Sequence, residues 1–229
     1  MPQIVIDNTS KVFKIEETEI SAVKDVNLSL DKGEFISIVG HSGSGKTTLL
    51  SIIGGILKPS SGKVRFNGTD IYGLPEDELA EYRAGSIGYV FQFASLLPVL
   101  TAKENLLLPT LFAPNGKKPG TPEKTAGEYL DLVGLKDKIN AYPHQLSGGQ
   151  QRRVAIARAL MNSPEALLAD EPTGDLDEET ESQVMDFFGK VNRDMGLTFI
   201  LVTHSTELAK TAGRRFRMTN GRFQEEKPA

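Results

Sequence analysis

Gly40-His41-Ser42-Gly43-Ser44-Gly45-Lys46-Thr47-Thr48 fits G-x-x-x-x-G-K-[ST], the pattern of a loop that cradles phosphate. Its flanks supply the context the pattern needs. Phe35-Ile36-Ser37-Ile38-Val39 reads as a short buried strand, and Leu49, Leu50, Ile52 and Ile53 occupy the paired apolar positions of a helix. The glycines therefore fall where a strand turns into a helix. Lacking Cβ, they accept positive φ and let the backbone wrap closely around an anion. Loop N–H groups then point inward, and the helix N-terminus adds partial positive charge. Lys46 supplies a full charge for β- and γ-phosphates, and the Thr47 hydroxyl is placed for Mg²⁺.

The rest of the composition narrows the class. The chain has 229 residues, 39% hydrophobic and 24% charged, which suits one sizeable α/β domain with subdomains. A net charge of −4 gives no electrostatic reason to capture nucleic acid, so none is expected as a partner. With no cysteine, disulfides, iron–sulfur clusters and thiolate zinc sites are excluded. His41, His144 and His204 lack metal-ligand spacing. No apolar run approaches the ~18 residues of a membrane span, and Met1-Pro2-Gln3-Ile4-Val5-Ile6-Asp7 has no basic n-region of a secretory signal. A reducing cytoplasm is the expected home, with membrane contact only through a partner.

In chain order, Ile4-Val5-Ile6 opens a strand, and Val23, Val26, Leu28 and Leu30 mix close and alternating spacings of half-buried strands. Asp31-Lys32-Gly33 turns into the strand before the phosphate loop. Val64-Arg65-Phe66 with Asn67-Gly68 reads as a strand and turn, so the opening reads as a small antiparallel sheet. Pro75 starts a short helix through Arg83. Ile87-Gly88-Tyr89-Val90-Phe91 is a strand ending at Gln92. Thr101 and Glu104 make a capping box for a helix limited by Pro109. Residues 115–120 form a polar loop. Thr121 caps a helix with Pro122 first, a buried stripe of Ala126, Tyr129, Leu130 and Val133, and Gly134 as its stop. Ala166-Leu167-Leu168-Ala169 and Phe199-Ile200-Leu201-Val202 are buried strands. Between them Val184, Phe187, Phe188 and Val191 fall at helical spacing. Asn220-Gly221 marks a final hairpin.

Four apolar strands thus end at polar groups: the phosphate loop, Gln92, Asp170-Glu171 and His204. In open parallel sheets, ligands bind beyond the carboxyl ends of the strands, so these residues should meet around one triphosphate. Asp170, at the end of a buried strand, can hold Mg²⁺. Glu171 can orient or deprotonate an attacking water. Leu146-Ser147-Gly148-Gly149-Gln150 is the second unusual stretch. Ser147 and Gln150 have capping-box spacing. Two glycines in a first helical turn each lose roughly 1 kcal/mol against alanine. A plain cap does not need them, whereas a turn offering bare N–H groups to a phosphate does.

These motifs, in this order, resemble the ATP-binding subunits of ABC transporters over nearly the whole chain. Gly40 to Thr48 matches Walker A, Gln92 the Q-loop, Leu146 to Gln150 the ABC signature and Ala166 to Asp170 Walker B, with Glu171 in the catalytic position. Gly174-Asp175-Leu176-Asp177 matches the D-loop and His204 the H-loop. Phe13 sits where the family has an aromatic that stacks on adenine. A closer likeness is to the lipoprotein-releasing and macrolide-export ATPases, carried by residues 90–98, 100–105 and 143–160. His41 stands where the family usually has proline, and Thr47 where it has serine.

The resemblance implies an α/β fold, with a P-loop NTPase (RecA-like) core around a parallel sheet. To it belong an N-terminal antiparallel β-subdomain (about 1–32 and 62–74) and an α-helical subdomain (about 94–158). The nucleotide core takes about 33–61, 75–93 and 159–229. It implies ATP and Mg²⁺ as cofactors, with catalysis by Glu171, His204, Gln92 and Lys46. The nucleotide set is Phe13, Gly40, His41, Ser42, Gly43, Ser44, Gly45, Lys46, Thr47, Thr48, Ser147, Gly148, Gly149, Gln150 and Asp177. The metal set is Thr47, Gln92 and Asp170. It further implies an ATP-dependent homodimer, head to tail, on separate transmembrane permease subunits at the cytoplasmic face of the membrane.

Three function classes stay in view. One is export or release of a lipoprotein, peptide or hydrophobic drug. Another is a non-transport envelope complex that transmits force to an enzyme outside. DNA-repair and translation ATPases are disfavoured, because the former usually carry coiled-coil insertions and the latter two cassettes. A simple P-loop kinase does not need the Ser147–Gln150 turn.

Overall fold

The strand that leads into the phosphate loop lies inside a six-stranded sheet in the computed structural model, which describes residues 1–114, 121–174 and 176–226. The polar loop at 115–120 and Asp175 lie outside the described residues. The strands, in chain order, are β1 (Ile4–Ile15), β2 (Thr18–Leu30), β3 (Phe35–Val39), β4 (Ser61–Phe66), β5 (Thr69–Asp70), β6 (Ile87–Val90), β7 (Ala166–Asp170), β8 (Thr198–Thr203), β9 (Arg214–Thr219) and β10 (Arg222–Glu226). The helices are α1 (Lys46–Ile53), α2 (Glu76–Gly85), α3 (Ala102–Leu107), α4 (Pro122–Leu132), α5 (Gly148–Leu160), α6 (Glu178–Met195) and α7 (Thr206–Ala209).

The large sheet has the order β10-β9-β3-β8-β7-β6. The five strands from β9 to β6 run parallel, and β10 closes the edge antiparallel to β9. β7 and β8 are buried along their whole length. Parallel strands covered on both faces read as continuous apolar runs rather than alternations. One face packs on α1 and a smaller antiparallel sheet, β2-β1-β4-β5, in the largest core. The other face packs on α6 and α5, where Phe188 lies 4.6 Å from Phe199, itself 4.5 Å from Phe35. A third core fills the space between α3, α4 and α5.

Local chemistry sets the element ends. Asn67-Gly68 and Asn220-Gly221 both take positive φ at both turn residues, the two-residue hairpin geometry that matches strand twist. Capping boxes at Thr101–Glu104 and Ser147–Gln150 are fully formed. Two carbonyls at the end of α1, and that of Leu57 just beyond it, accept from tyrosine side chains. Tyr72 donates to Ile52 and Leu57, and Tyr82 to Ile53, each at 2.7 Å. Burial raises both phenols well above the ordinary tyrosine range, so both stay donors. The far end of the phosphate-loop helix is therefore anchored.

One expectation needs correcting, and two gain detail. Thr121 makes no side-chain cap to α4, although Pro122 does open that helix. α3 ends at Leu107 as Pro109 requires, but a 3₁₀ stretch, Leu108–Phe112, continues through the proline, because in a first helical turn it lacks only an N–H that has no intrahelical partner. The opening strands are long, 12 and 13 residues, and register shifts interrupt their pairing between Ile6 and Val12. Asn8 and Asp25 take positive φ there. Bulges of this kind break period-two alternation, which explains the mixed apolar spacings.

Candidate functional site

β3 ends at Val39 and the chain enters the loop. A side chain at Gly40 would place its Cβ 2.3 Å from the Met218 carbonyl oxygen. One at Gly45, where φ is +105°, would sit 2.0 Å from the Ala22 carbonyl oxygen. Both glycines let the loop press against neighbouring backbone. The Gly221 N–H donates to the Ser44 carbonyl at 3.0 Å, so the last hairpin supports the loop from behind. Lys46 is buried at the start of α1, and its ammonium donates to the carbonyls of Gly40 (2.7 Å) and His41 (3.1 Å). It folds back over the loop it must serve.

Asp170 ends β7 and is only 5% exposed. Its Oδ1 is buried without a hydrogen-bond partner. Desolvation pushes its carboxyl above the ordinary range and Glu171 adds to the rise, while the Thr47 hydroxyl and the Lys46 charge oppose it. A partnerless buried carboxylate oxygen beside a threonine hydroxyl suits Mg²⁺, which takes oxygen ligands and is usually held by one or two carboxylates plus substrate phosphates. No group of three His, Cys, Asp or Glu side chains gathers among the described residues. The remaining ligands would have to come from phosphate, water or Gln92. The residues fit the cation that the loop pattern implies.

Glu171 follows directly, with φ +45°. That conformation costs a non-glycine residue of order 1–3 kcal/mol and concentrates at functional sites. Its N–H donates to the Val202 carbonyl at 2.9 Å, which pins the turn to β8. Its Oε2 lies 2.9 Å from Nδ1 of His204, just past the end of β8. The Glu171 side chain is 14% exposed and that of His204 68%, so the pair joins a sheltered carboxylate to an accessible imidazole.

These strand ends enclose a cleft of about 510 Å³. Its wall includes Ser42 to Thr48, Gln92, Glu171 and His204, with Ala22 and Gly174 added. The expected convergence of four strands on one place is met. Gly40 and His41 flank the wall, and Asp170 lies beneath it. Ala22 was not foreseen, because an alanine within a strand carries no signal until folding sets it beside Gly45. Gly174 lay within the stretch after Glu171 without being assigned to the pocket.

Three expected groups stand outside the wall. Phe13 lies on the β1–β2 hairpin, 36% exposed, with the Lys11 ammonium 5.3 Å from its ring centre. The Ser147–Gln150 turn leads α5 elsewhere on the surface. Asp177 caps α6 beside it, accepting from the Thr180 N–H at 2.9 Å. The two are neighbours, since a Cβ on Gly149 would meet Thr180 Cγ2 at 2.9 Å. A Cβ on Gly148 would meet nothing within 4 Å, so no contact within this chain explains that glycine.

Comparison with known proteins agrees with this geometry. The family described as "ABC transporter" matches residues 23–174. The lipoprotein-releasing system ATP-binding protein LolD of Geobacter metallireducens is 48% identical over 95% of this chain and 96% of its own. The macrolide export ATP-binding/permease protein MacB of Rhodopirellula baltica is 41% identical over 94% of this chain, which spans 32% of that longer protein. The solved dimer of the ATP-binding cassette MJ0796, from Methanocaldococcus jannaschii and bound to ADP and Pi, superposes with a TM-score of 0.89. It is 42% identical over 99% of this chain and 100% of that one. The chain belongs to the ABC transporter family, as one of its ATP-binding and ATP-hydrolysing cassettes.

Proposed function

We propose that two copies of this chain close head to tail around two MgATP, each site completed by the other copy's Ser147–Gln150 turn, and that the closure drives separate membrane permeases. The observation that carries this reading is the division of the site. The cleft gathers the phosphate loop, Gln92, Glu171 and His204 over Asp170, while the Ser147–Gln150 helix N-terminus, with an otherwise unexplained Gly148, takes no part in its wall.

In this reading the loop amides and Lys46 bind the β- and γ-phosphates. Thr47, Asp170 and Gln92 would hold Mg²⁺, which when bound would supply charge neutralisation for the triphosphate. Glu171 orients a water in line with the γ-phosphorus. As the water oxygen bonds to phosphorus and the bond to the β–γ bridging oxygen breaks, the water's proton passes to the Glu171 carboxylate. ADP and phosphate are the products. His204 steers that carboxylate through Nδ1, and its accessible ring edge is left to meet the γ-phosphate. Phe13 would meet the base only once the β1–β2 hairpin and nucleotide come together, and Asp177 caps the helix beside the Ser147–Gln150 turn.

Permease docking is assigned to a groove of about 400 Å³ whose wall includes Ile87, Tyr89, Phe91, Pro109, Phe112 and Arg158. Phe91 and Phe112 are 45% and 73% exposed, a cost that a covering apolar segment would relieve. No helix among the described residues is long and apolar enough to cross a membrane. The chain would work at the cytoplasmic face through those permeases, which the helical subdomain (about 94–158) would grip through Pro109, Phe112 and Arg158 together with Ile87, Tyr89 and Phe91 of the nucleotide core. Likeness to LolD and MacB favours export or release of a lipoprotein, peptide or hydrophobic drug.

Mixing two inactive variants tests the shared site. Lys46→Ala combined with Ser147→Arg puts both lesions in one composite site and leaves the other intact. The mixture should recover hydrolysis that neither shows alone. No recovery in mixtures whose ATP-dependent dimer is demonstrated by sedimentation would contradict independent shared sites, and no dimer at all would end the proposal.

A further inference from the structure

We propose that Arg152 is a positioning residue for hydrolysis: it fastens the segment carrying Gln92 to the helix that leads out of the Ser147–Gln150 turn, so that segment and helix move as one body. The inference rests on the roles given above to Gln92 and to that turn.

Gln92 stands just beyond β6, and the backbone around it is held from α5. Arg152 donates from Nη1 to the Phe91 carbonyl at 2.8 Å. Six residues on, Arg158 donates from Nη1 to the Ser95 carbonyl (2.8 Å) and from Nη2 to the Ala94 carbonyl (2.9 Å). Three carbonyls between 91 and 95, on both sides of Gln92, are thus tied to two arginines of one helix. Ser95 sits there with φ +47°, a conformation these bonds help to hold. Arg152 is only 4% exposed. Arginine is almost never fully buried unless paired, and a guanidinium is costly to desolvate. A residue chosen only to fill this space would be aliphatic.

The location connects three surfaces. Arg152 lies four residues after Gly148, about 6 Å along the helix axis at ~1.5 Å per residue, so the strap is attached one turn behind the Ser147–Gln150 turn. The residue whose carbonyl it holds, Phe91, stacks on Tyr89 with ring centres 4.2 Å apart. Phe91, Tyr89 and Arg158 all line the groove assigned to the permease. A segment seated in that groove therefore bears on the residues that hold the backbone around Gln92. The arginines would carry its displacement to α5 and the turn presented to the other copy.

The phosphate loop takes no part in the strap, so its loss should slow the chemical step and spare nucleotide binding. A misplacement of 1 Å can cost about 100-fold in rate. The test uses the full chain with Arg152→Met, Arg152→Lys, Gln92→Ala and the Gln92→Ala/Arg152→Met double variant, measuring kcat and KM for MgATP and amide hydrogen exchange. Arg152→Met should lower kcat roughly 10- to 100-fold with KM within about twofold, and should speed exchange at residues 92–96. Arg152→Lys should recover most of the rate, since an ammonium on a comparable stem can reach one carbonyl. In the Gln92→Ala background Arg152→Met should add nothing. Parent-like kcat in Arg152→Met, or a further multiplicative loss in the double variant, overturns the inference. A parent-like Gln92→Ala instead contradicts the role given to Gln92. If Arg152→Met does not fold, Arg158→Met, at a less buried position, takes its place in the same cycle: a loss of kcat absent from the Gln92→Ala background supports the strap, and a parent-like or multiplicative result overturns it.

Discussion

Gly45→Ala is the perturbation whose consequence follows most directly from the geometry of the loop. Two costs arise at once. At φ +105° an alanine is strained, by about 1–3 kcal/mol. Its methyl would also stand 2.0 Å from the Ala22 carbonyl oxygen and 2.8 Å from Met218 Cε. The methionine end can swing away. The Ala22 oxygen cannot easily, because it belongs to β2, which pairs along β1. The loop must therefore retreat by roughly 1 Å or more, and such a shift in groups that position a reacting phosphate can cost about 100-fold in rate. For a domain of this size, 1 kcal/mol moves Tm by about 2–4 °C, so strain alone lowers Tm by about 2–12 °C. Gly68→Ala is the matched control, with φ +85° and open space around its new Cβ. It carries strain without collision and lies in the β4–β5 turn. Scanning calorimetry and steady-state ATP hydrolysis on both variants separate the terms. Gly45→Ala should melt below Gly68→Ala and hydrolyse ATP about 100-fold more slowly, while Gly68→Ala keeps the parent rate. Equal Tm values with parent hydrolysis in Gly45→Ala would mean that the loop does not depend on its close approach to β2.

Lys46→Ala should leave the circular dichroism spectrum unchanged, weaken ATP binding and reduce hydrolysis by at least about 100-fold, the cost of losing one preorganised charge at a reacting phosphoryl group. His204→Ala should reduce kcat by a similar 100- to 1,000-fold with ATP affinity, by equilibrium dialysis, within about threefold. Asp170→Asn should separate stability from function. Burial raises the Asp170 pKa in the folded state, so the native protein holds that proton more tightly than the unfolded chain. The stability this proton contributes is present below the unfolded carboxylate range and is lost as pH rises through the folded pKa, where the loss levels off. The variant removes that cost. Its nucleotide-free Tm at pH 7.5 should exceed the parent's, the gain should shrink at acid pH, and MgATP should no longer raise its Tm.

Much of the fold was legible because its signals are local. The apolar runs of β3, β7 and β8, the Asn-Gly turns, and the boxes at Thr101 and Ser147 each need only a few adjacent residues. The cleft was legible because a phosphate loop constrains its own surroundings and strand ends in a parallel sheet meet at one edge. What escaped depends on distance along the chain. Ala22 becomes a wall only when β2 comes against Gly45, and Arg152 acquires a role only when α5 lies across Phe91, 61 residues away. Local rules also failed where another force prevailed. Thr121 looks like a cap, yet its side chain makes no cap bond to α4. The bulges at Asn8 and Asp25 hid two long strands behind an irregular pattern.

If Glu171 drives hydrolysis in a site shared by two copies, one variant reports on both halves of that statement. Glu171→Gln keeps the size of the side chain and a hydrogen bond to His204 but removes the base. Sedimentation velocity of this variant with and without MgATP, with phosphate release followed in the same samples, is the measurement. Expected are a monomer without nucleotide, a stable species of twice that mass with MgATP, and hydrolysis slowed by roughly 100- to 10,000-fold. A variant that stays monomeric at high concentration with saturating MgATP, or that releases phosphate at the parent rate, would contradict the shared site or the base, respectively.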